Sequence, residues 1–83
     1  LRDGDDQALN LLMERWRLPV LHFTRRYVRT ETKAEDLAQE TFVRVYQYRA
    51  NYSPSTKFST WLFTIAANLC KNHLRWLSRH PTV

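Results

Sequence analysis

The sequence predicts an all-α fold, a compact bundle of about four helices, and three observations lead there. Only one glycine, Gly4, and three prolines, at 19, 54 and 81, occur in 83 residues, so connections between elements are few and short. Apolar residues recur at three- and four-residue spacing along most of the chain, the period of helices with one buried face. A Thr-x-x-Glu sequence, Thr32 to Glu35, carries the signature of a helix start. A chain of this length forms one domain, 1–83, around one core.

The first helix is expected from about Asp5 to Arg17, with Leu9, Leu12, Met13 and Trp16 at helical spacing and acids in its first turn, where the helix dipole favours them. Pro19 fits the first position of a second helix, about 19–29, whose apolar members are Val20, Phe23 and Tyr27, with Leu21 and Val28 at the side. The third helix starts at the Thr32–Glu35 capping box and runs to about Arg49. A polar loop, A-N-Y-S-P-S-T at 50–56, follows, with Pro54 holding its predecessor extended. The fourth helix, about Lys57 to Arg79, is the longest and is closed by Pro81.

Advancing about 100° per residue divides the third helix into two faces. Ala34, Leu37, Thr41, Phe42, Val45 and Tyr48 form the stripe expected to be buried. Asp36, Gln39, Glu40 and Val43 gather on the opposite, water-facing ridge. Two carboxylates on an open face with no histidine beside them do not make an acid–base or metal site, so an enzyme site is rejected there. The same projection on the fourth helix puts Phe58, Leu62, Ile65, Ala66, Leu69, His73, Trp76 and Leu77 on the core side. Lys57, Trp61, Thr64, Asn68, Lys71, Asn72, Arg75 and Arg79 fall on one exposed stripe about five turns long. Trp61 lies at the stripe's edge, where both a core position and an exposed one remain open.

Charge sharpens that stripe. Residues 1–40 hold seven Lys and Arg against eight Asp and Glu, whereas residues 41–83 hold Arg44, Arg49, Lys57, Lys71, Arg75 and Arg79 and no acid at all. Eight of the eleven aromatic residues share that acid-free half. A water-facing helix stripe ordinarily mixes both signs for local pairing. Cations alone, interleaved with amides, a hydroxyl and an aromatic ring, suit a polyanion whose bases can stack and present hydrogen-bonding edges.

Other classes fit less well. No apolar run reaches the roughly 18 residues of a membrane span, and the N-terminal L-R-D-G-D-D lacks a signal peptide's apolar stretch. The lone Cys70 allows no internal disulfide and predicts a reducing, cytoplasmic setting. Cys70, His73 and His22 could be imagined around zinc, but two local ligands do not close a tetrahedral site, and no cofactor is expected. An autonomous helix-turn-helix repressor needs a short recognition helix after a tight turn, unlike the long fourth helix and its Pro-bearing loop. A helical protein-interaction module without DNA binding is the remaining alternative.

Two stretches, A-E-D-L-A-Q-E-T-F-V-R-V at 34–45 and F-S-T-W-L-F-T-I-A-A-N-L at 58–69, flank the N-Y-S-P loop. In this order and spacing they resemble region 2 of the sigma-70 family, specifically the small extracytoplasmic-function sigma factors. The resemblance covers essentially the whole chain, including E-R-W at 14–16. It implies a transcription initiation factor domain, without the downstream minus-35-reading domain such factors carry. It also implies that Asp36, Gln39, Glu40 and Val43 dock on the clamp helices of the RNA polymerase beta-prime subunit. By the same resemblance Asn51, Tyr52, Ser53 and Ser55 line a pocket for a base flipped from the non-template strand of the minus-ten element. Lys57, Trp61, Thr64, Asn68, Lys71 and Arg75 would contact that DNA, and an anti-sigma factor is implied as a further partner. The chain departs from the family at Ala67, where Arg is frequent, and at Asn72, where an acid is frequent; the second change makes the stripe more basic.

Overall fold

The computed structural model describes residues 6–81. It contains three α-helices and one 3-10 turn: α1 (Asp6–Arg25), α2 (Glu31–Gln47), the 3-10 turn Arg49–Asn51 and α3 (Phe58–Arg79). The class is all-helical as expected, but the bundle has three α-helices where four were predicted. The expected start of the first helix, Asp5, lies outside the described residues.

The missing boundary is Pro19. The two helices expected on either side of it are one, α1, with Pro19 inside. A proline lacks an amide and displaces the carbonyl four residues back. Here both Pro19 and Arg15 are exposed, so the break in the ladder falls on the side of α1 away from the core. On the other side Leu9, Met13, Trp16, Val20 and Thr24 keep an unbroken helical stripe against the core. Burying a side chain of Val or Leu size contributes about 1.5–3 kcal/mol, and several such groups together exceed the roughly 3 kcal/mol cost of an interior proline.

The start of α2 also moves. Thr30, not Thr32, is its N-cap: it is extended (φ −96°, ψ 140°) and its side chain accepts from the Lys33 amide at 3.3 Å. Glu31 is held by Arg25 through two hydrogen bonds of 2.8 and 2.7 Å. This cross-link between the end of α1 and the start of α2 draws the cap two residues forward.

The helix α2 packs on both α1 and α3. The centre holds Leu9, Val20, Ala38, Val45 and Leu62, with Phe58, Trp61, Phe63 and Ile65 packed around them. Trp16 and Phe23 of α1 meet Phe63 of α3, with ring centroids 5.9 and 5.2 Å apart. Two buried hydroxyls are satisfied by backbone. Thr41 donates to the Leu37 carbonyl at 2.8 Å, and Thr24 reaches the carbonyls of Leu21 at 3.0 Å and Ala34 at 2.8 Å. The Thr24–Ala34 bond ties α1 to α2.

Three residues assigned to the core are not in it. Tyr48 is 50% exposed, Trp76 51% and Leu77 38%. Tyr48 is the C-cap of α2, where the helix ends before its face turns inward. The other two lie on the last turns of α3, which run past their neighbours: every described residue from Leu74 to Pro81 is exposed. The domain is accordingly elongated, 47 × 20 × 18 Å. Cys70 is fully buried, and burial pushes its thiol pKa up.

Candidate nucleic-acid interface

The amphipathic period of α3 sets its outer face. Leu62, Ala66 and Cys70 turn fully inward, so Lys57, Thr64, Asn68, Lys71, Asn72, Arg75 and Arg79 are all exposed. The structure thus brings the predicted stripe together on one side. It also separates the six cations of the acid-free half into two groups. Arg44 pairs with Glu40 at 2.9 Å and Arg49 with Asp6 at 3.5 Å. Lys57, Lys71, Arg75 and Arg79 make no ion pair among the described residues. These four are the N-cap residue of α3 and the three cations along the helix.

Two stripe polar groups are partly engaged. The Thr64 hydroxyl donates to the Thr60 carbonyl at 2.7 Å, leaving its lone pairs free to accept. Arg75 donates to the Asn72 side-chain oxygen at 3.2 Å, leaving the Asn72 amide nitrogen as a donor. Asn68 sits on the wall of a small cleft of about 140 Å³ between α2 and α3, which Arg44, Tyr48 and Asn72 also line. Arg44 and Tyr48 were missed as neighbours of Asn68. The readable signal was an aromatic residue one turn beyond an arginine at the end of α2, opposite the Asn68–Asn72 turn.

The loop between α2 and α3 is pre-folded. The Tyr52 ring packs on Trp61 and Phe58, at 5.1 and 5.9 Å between centroids, and its hydroxyl donates to the Thr56 carbonyl. Phe58 and Trp61 in turn lie 6.0 Å apart. Trp61 is half-buried in this aromatic triad and packs against the core, which resolves its position at the stripe's edge. Ser53 and Ser55 hydroxyls, 2.8 Å apart, and Asn51 remain exposed at the rim. Sequence reasoning also missed Arg49, which anchors the loop's first turn. Its guanidinium stacks on Tyr46 at 4.1 Å, donates to the Tyr46 carbonyl at 2.7 Å and reaches Asp6.

On the other side of α2, Asp36, Gln39 and Val43 form one wall of a groove of about 1090 Å³. Met13, Arg17 and Leu21 of α1 form the other, and Phe42 contributes to the apolar lining. Asp36 and Gln39 are exposed and Val43 is 47% exposed. Glu40 differs from the other predicted ridge residues: it is half-buried, outside the groove lining, and held by Arg44. An apolar trough with an acidic lip suits a helical partner with a basic edge.

The metal-ligand candidates separate. His22 is exposed on α1 while Cys70 is buried and His73 half-buried on α3. Among the described residues no three His, Cys, Asp or Glu side chains cluster as a metal site. Burial and the nearby Lys33 charge lower the His73 pKa. No helix among the described residues is long and apolar enough to cross a membrane.

Comparison with known proteins adds to this geometry. The family described as Sigma-70 region 2 matches residues 12–80. The RNA polymerase sigma-H factor of Pseudomonas aeruginosa is 37% identical over 78 residues, covering 94% of this chain and 40% of the relative. The RNA polymerase sigma factor CarQ of Myxococcus xanthus is 45% identical over 74 residues, covering 89% and 42%. The ECF RNA polymerase sigma-E factor of Escherichia coli K12 is 35% identical over 81 residues, covering 98% and 42%. The chain therefore spans about two fifths of these relatives' length. Among solved structures, an engineered region 2 of sigmaE in complex with GTAAAA superposes with a TM-score of 0.82 at 36% identity, covering 96% of this chain and 83% of that one. With a family match over residues 12–80 and relatives aligned along nearly its whole length, the chain belongs to the Sigma-70 region 2 family of sigma factors.

Proposed function

We propose that this domain serves transcription initiation by holding the melted non-template strand of a promoter minus-ten element while docked on core RNA polymerase in the cytoplasm. The observation that carries the reading is the set of four cations without an ion pair among the described residues, Lys57 at the N-cap of α3 and Lys71, Arg75 and Arg79 along it, on the side that also carries Thr64, Asn68 and the hydroxyl-rimmed loop. Lys57, Lys71 and Arg75 follow the phosphates, and Asn68, beside Asn72 and Tyr48, offers hydrogen bonds to a base edge. Asn51, Ser53 and Ser55 surround a flipped base, with Tyr52 and Trp61 supporting that pocket through the aromatic triad. The solved sigmaE region 2 is described as a complex with GTAAAA, which supports the same use of the matching surface.

Binding energy alone suffices for strand capture. Unstacking a base costs a few kcal/mol, and stacking with edge hydrogen bonds returns about 1–3 kcal/mol per base. A surface that contacts only unpaired bases shifts the duplex toward the melted form, because its affinity differs between the two states. The groove of Asp36, Gln39 and Val43 takes the clamp helices of the polymerase beta-prime subunit; Glu40 supports that wall through Arg44. An anti-sigma factor would act by covering either surface.

The test is the salt dependence of single-strand affinity. Each phosphate neutralised on a single strand contributes about −0.7 to the log–log slope, so four cations give a slope near −3. Fluorescence anisotropy with promoter-strand oligonucleotides measures it. A slope near zero would remove nucleic acid from the reading and leave a protein-interaction module.

A further inference from the structure

The exposed end of α3 is more than an uncovered core. Trp76 is 51% exposed, and its ring lies parallel to that of His80, with centroids 4.3 Å apart and planes 16° from one another. The pair is held by backbone geometry: the His80 amide donates to the Trp76 and Leu77 carbonyls at 3.0 and 3.2 Å, and Nδ1 of His80 lies 2.9 Å from the Trp76 carbonyl. These bonds fix two flat rings as one shelf at the helix terminus.

The shelf stands where the inner arc of α3 borders its cationic stripe, exposed because the helix runs past its neighbours there. Around the helix Trp76 lies about 20° from Ile65 and Leu69, about 40° from Asn72 and about 60° from Arg79. Arg75 and Arg79 flank it without ion-pair partners among the described residues. No acid follows Glu40 in the sequence. A flat, exposed aromatic pair set among unpaired guanidinium groups and an amide matches the two needs of a single nucleic-acid strand, backbone neutralisation and a face for a base. Along the axis Trp76 lies eight residues past Asn68, about 12 Å. At about 3.4 Å per stacked nucleotide that is three to four positions further on.

We propose that the Trp76–His80 ring pair is a stacking platform for a nucleobase of single-stranded DNA, extending the strand's track past the residues that read the minus-ten element. The proposal rests on the DNA reading above.

Three thymidine strands test it against this chain by anisotropy. One has six nucleotides. A second adds four at each end, and a third has the same added positions without bases. The fourteen-nucleotide strand should bind about 5- to 150-fold tighter than its abasic-flanked version, the equivalent of about 1–3 kcal/mol of stacking. Trp76→Ala should lose that factor on the full strand, change the six-nucleotide strand less than about threefold, and respond to abasic flanks no further. Trp76→Phe should retain most of the gain, and unchanged circular dichroism verifies the fold. Equal affinity of Trp76→Ala and the unsubstituted chain for the full strand would overturn the proposal and assign the shelf to a protein contact. So would additive effects of the substitution and the abasic flanks. Binding of the six-nucleotide strand without any gain on extension would sink the platform alone, whereas no binding of any strand would sink the DNA reading with it.

Discussion

Among the described residues Thr24 makes the one buried side-chain hydrogen bond that links α1 to α2, and its removal can be sized from the structure. Its hydroxyl, fully buried, lies 2.8 Å from the Ala34 carbonyl and 3.0 Å from that of Leu21. Thr24→Val keeps the shape and deletes the hydroxyl. Ala34 lies inside α2, so its carbonyl keeps the ladder partner four residues on. The loss is therefore that of one intramolecular hydrogen bond, about 1 kcal/mol, not of a fully orphaned acceptor. In a domain of this size that lowers Tm by about 4–8 °C. Thr24→Ser keeps the hydroxyl and loses a methyl, about 0.8 kcal/mol by transfer. Thr24→Ala loses both and should cost about 2 kcal/mol. Urea unfolding with an unchanged m-value measures all three. A valine variant as stable as the unsubstituted chain within about 0.3 kcal/mol would refute the account, as would an alanine variant no worse than serine.

The other predictions concern charge. Asp36→Lys should weaken capture of core polymerase at least about tenfold, a change of about 1.4 kcal/mol. Glu40→Gln should change it less than about threefold, because Glu40 faces Arg44; equal effects in pull-down titrations would contradict the placement of the groove. Arg49→Ala removes a partly exposed ion pair and a cation–π contact, together about 1 kcal/mol. It should blunt discrimination among minus-ten strands more than total affinity, with Arg49→Lys rescuing only partly. The hydrogen bond from Arg25 holds the Glu31 carboxyl below its usual range. Its contribution is present at neutral pH and is lost as acid titrates it through that lowered value, so Glu31→Gln should flatten the acid limb of a stability curve. His73, lowered from 6.5 by burial and by Lys33, takes up its proton first in the unfolded chain. Stability should fall as pH drops below about 6.5 and level off beneath the folded value; His73→Asn should erase that step.

Helical class and the two faces of α2 and α3 were legible because period and turn-residue scarcity are local properties. What escaped depends on contacts between distant residues. Pro19 reads as punctuation, and only the apolar stripe passing beneath it shows the helix continuing. Thr30 and Thr32 compete as caps, and the choice turns on Glu31 meeting Arg25 across the α1–α2 connection. A helical projection assigns Trp76 and Leu77 inward because it assumes a neighbour along the full length of α3. The charge count likewise cannot tell that Arg49 is paired with Asp6, 43 positions earlier, while Lys57 has no ion pair among the described residues. Tyr52 looked like a ring waiting for a base; its packing on Trp61 and Phe58 makes it part of the loop's frame.

The burial of Cys70 has a practical side. The sequence holds one thiol, fully enclosed and with its pKa raised by that enclosure, so the reactive thiolate is scarce at neutral pH. A cysteine introduced at an exposed position such as Ala50 or Thr60 would therefore be the group that a maleimide dye finds. Fluorophores can be placed on the loop, along α3 or at the groove one at a time, without first removing the native thiol. The core that gives the helices their fixed spacing thus leaves the surface chemically blank for reporters of strand capture and polymerase docking.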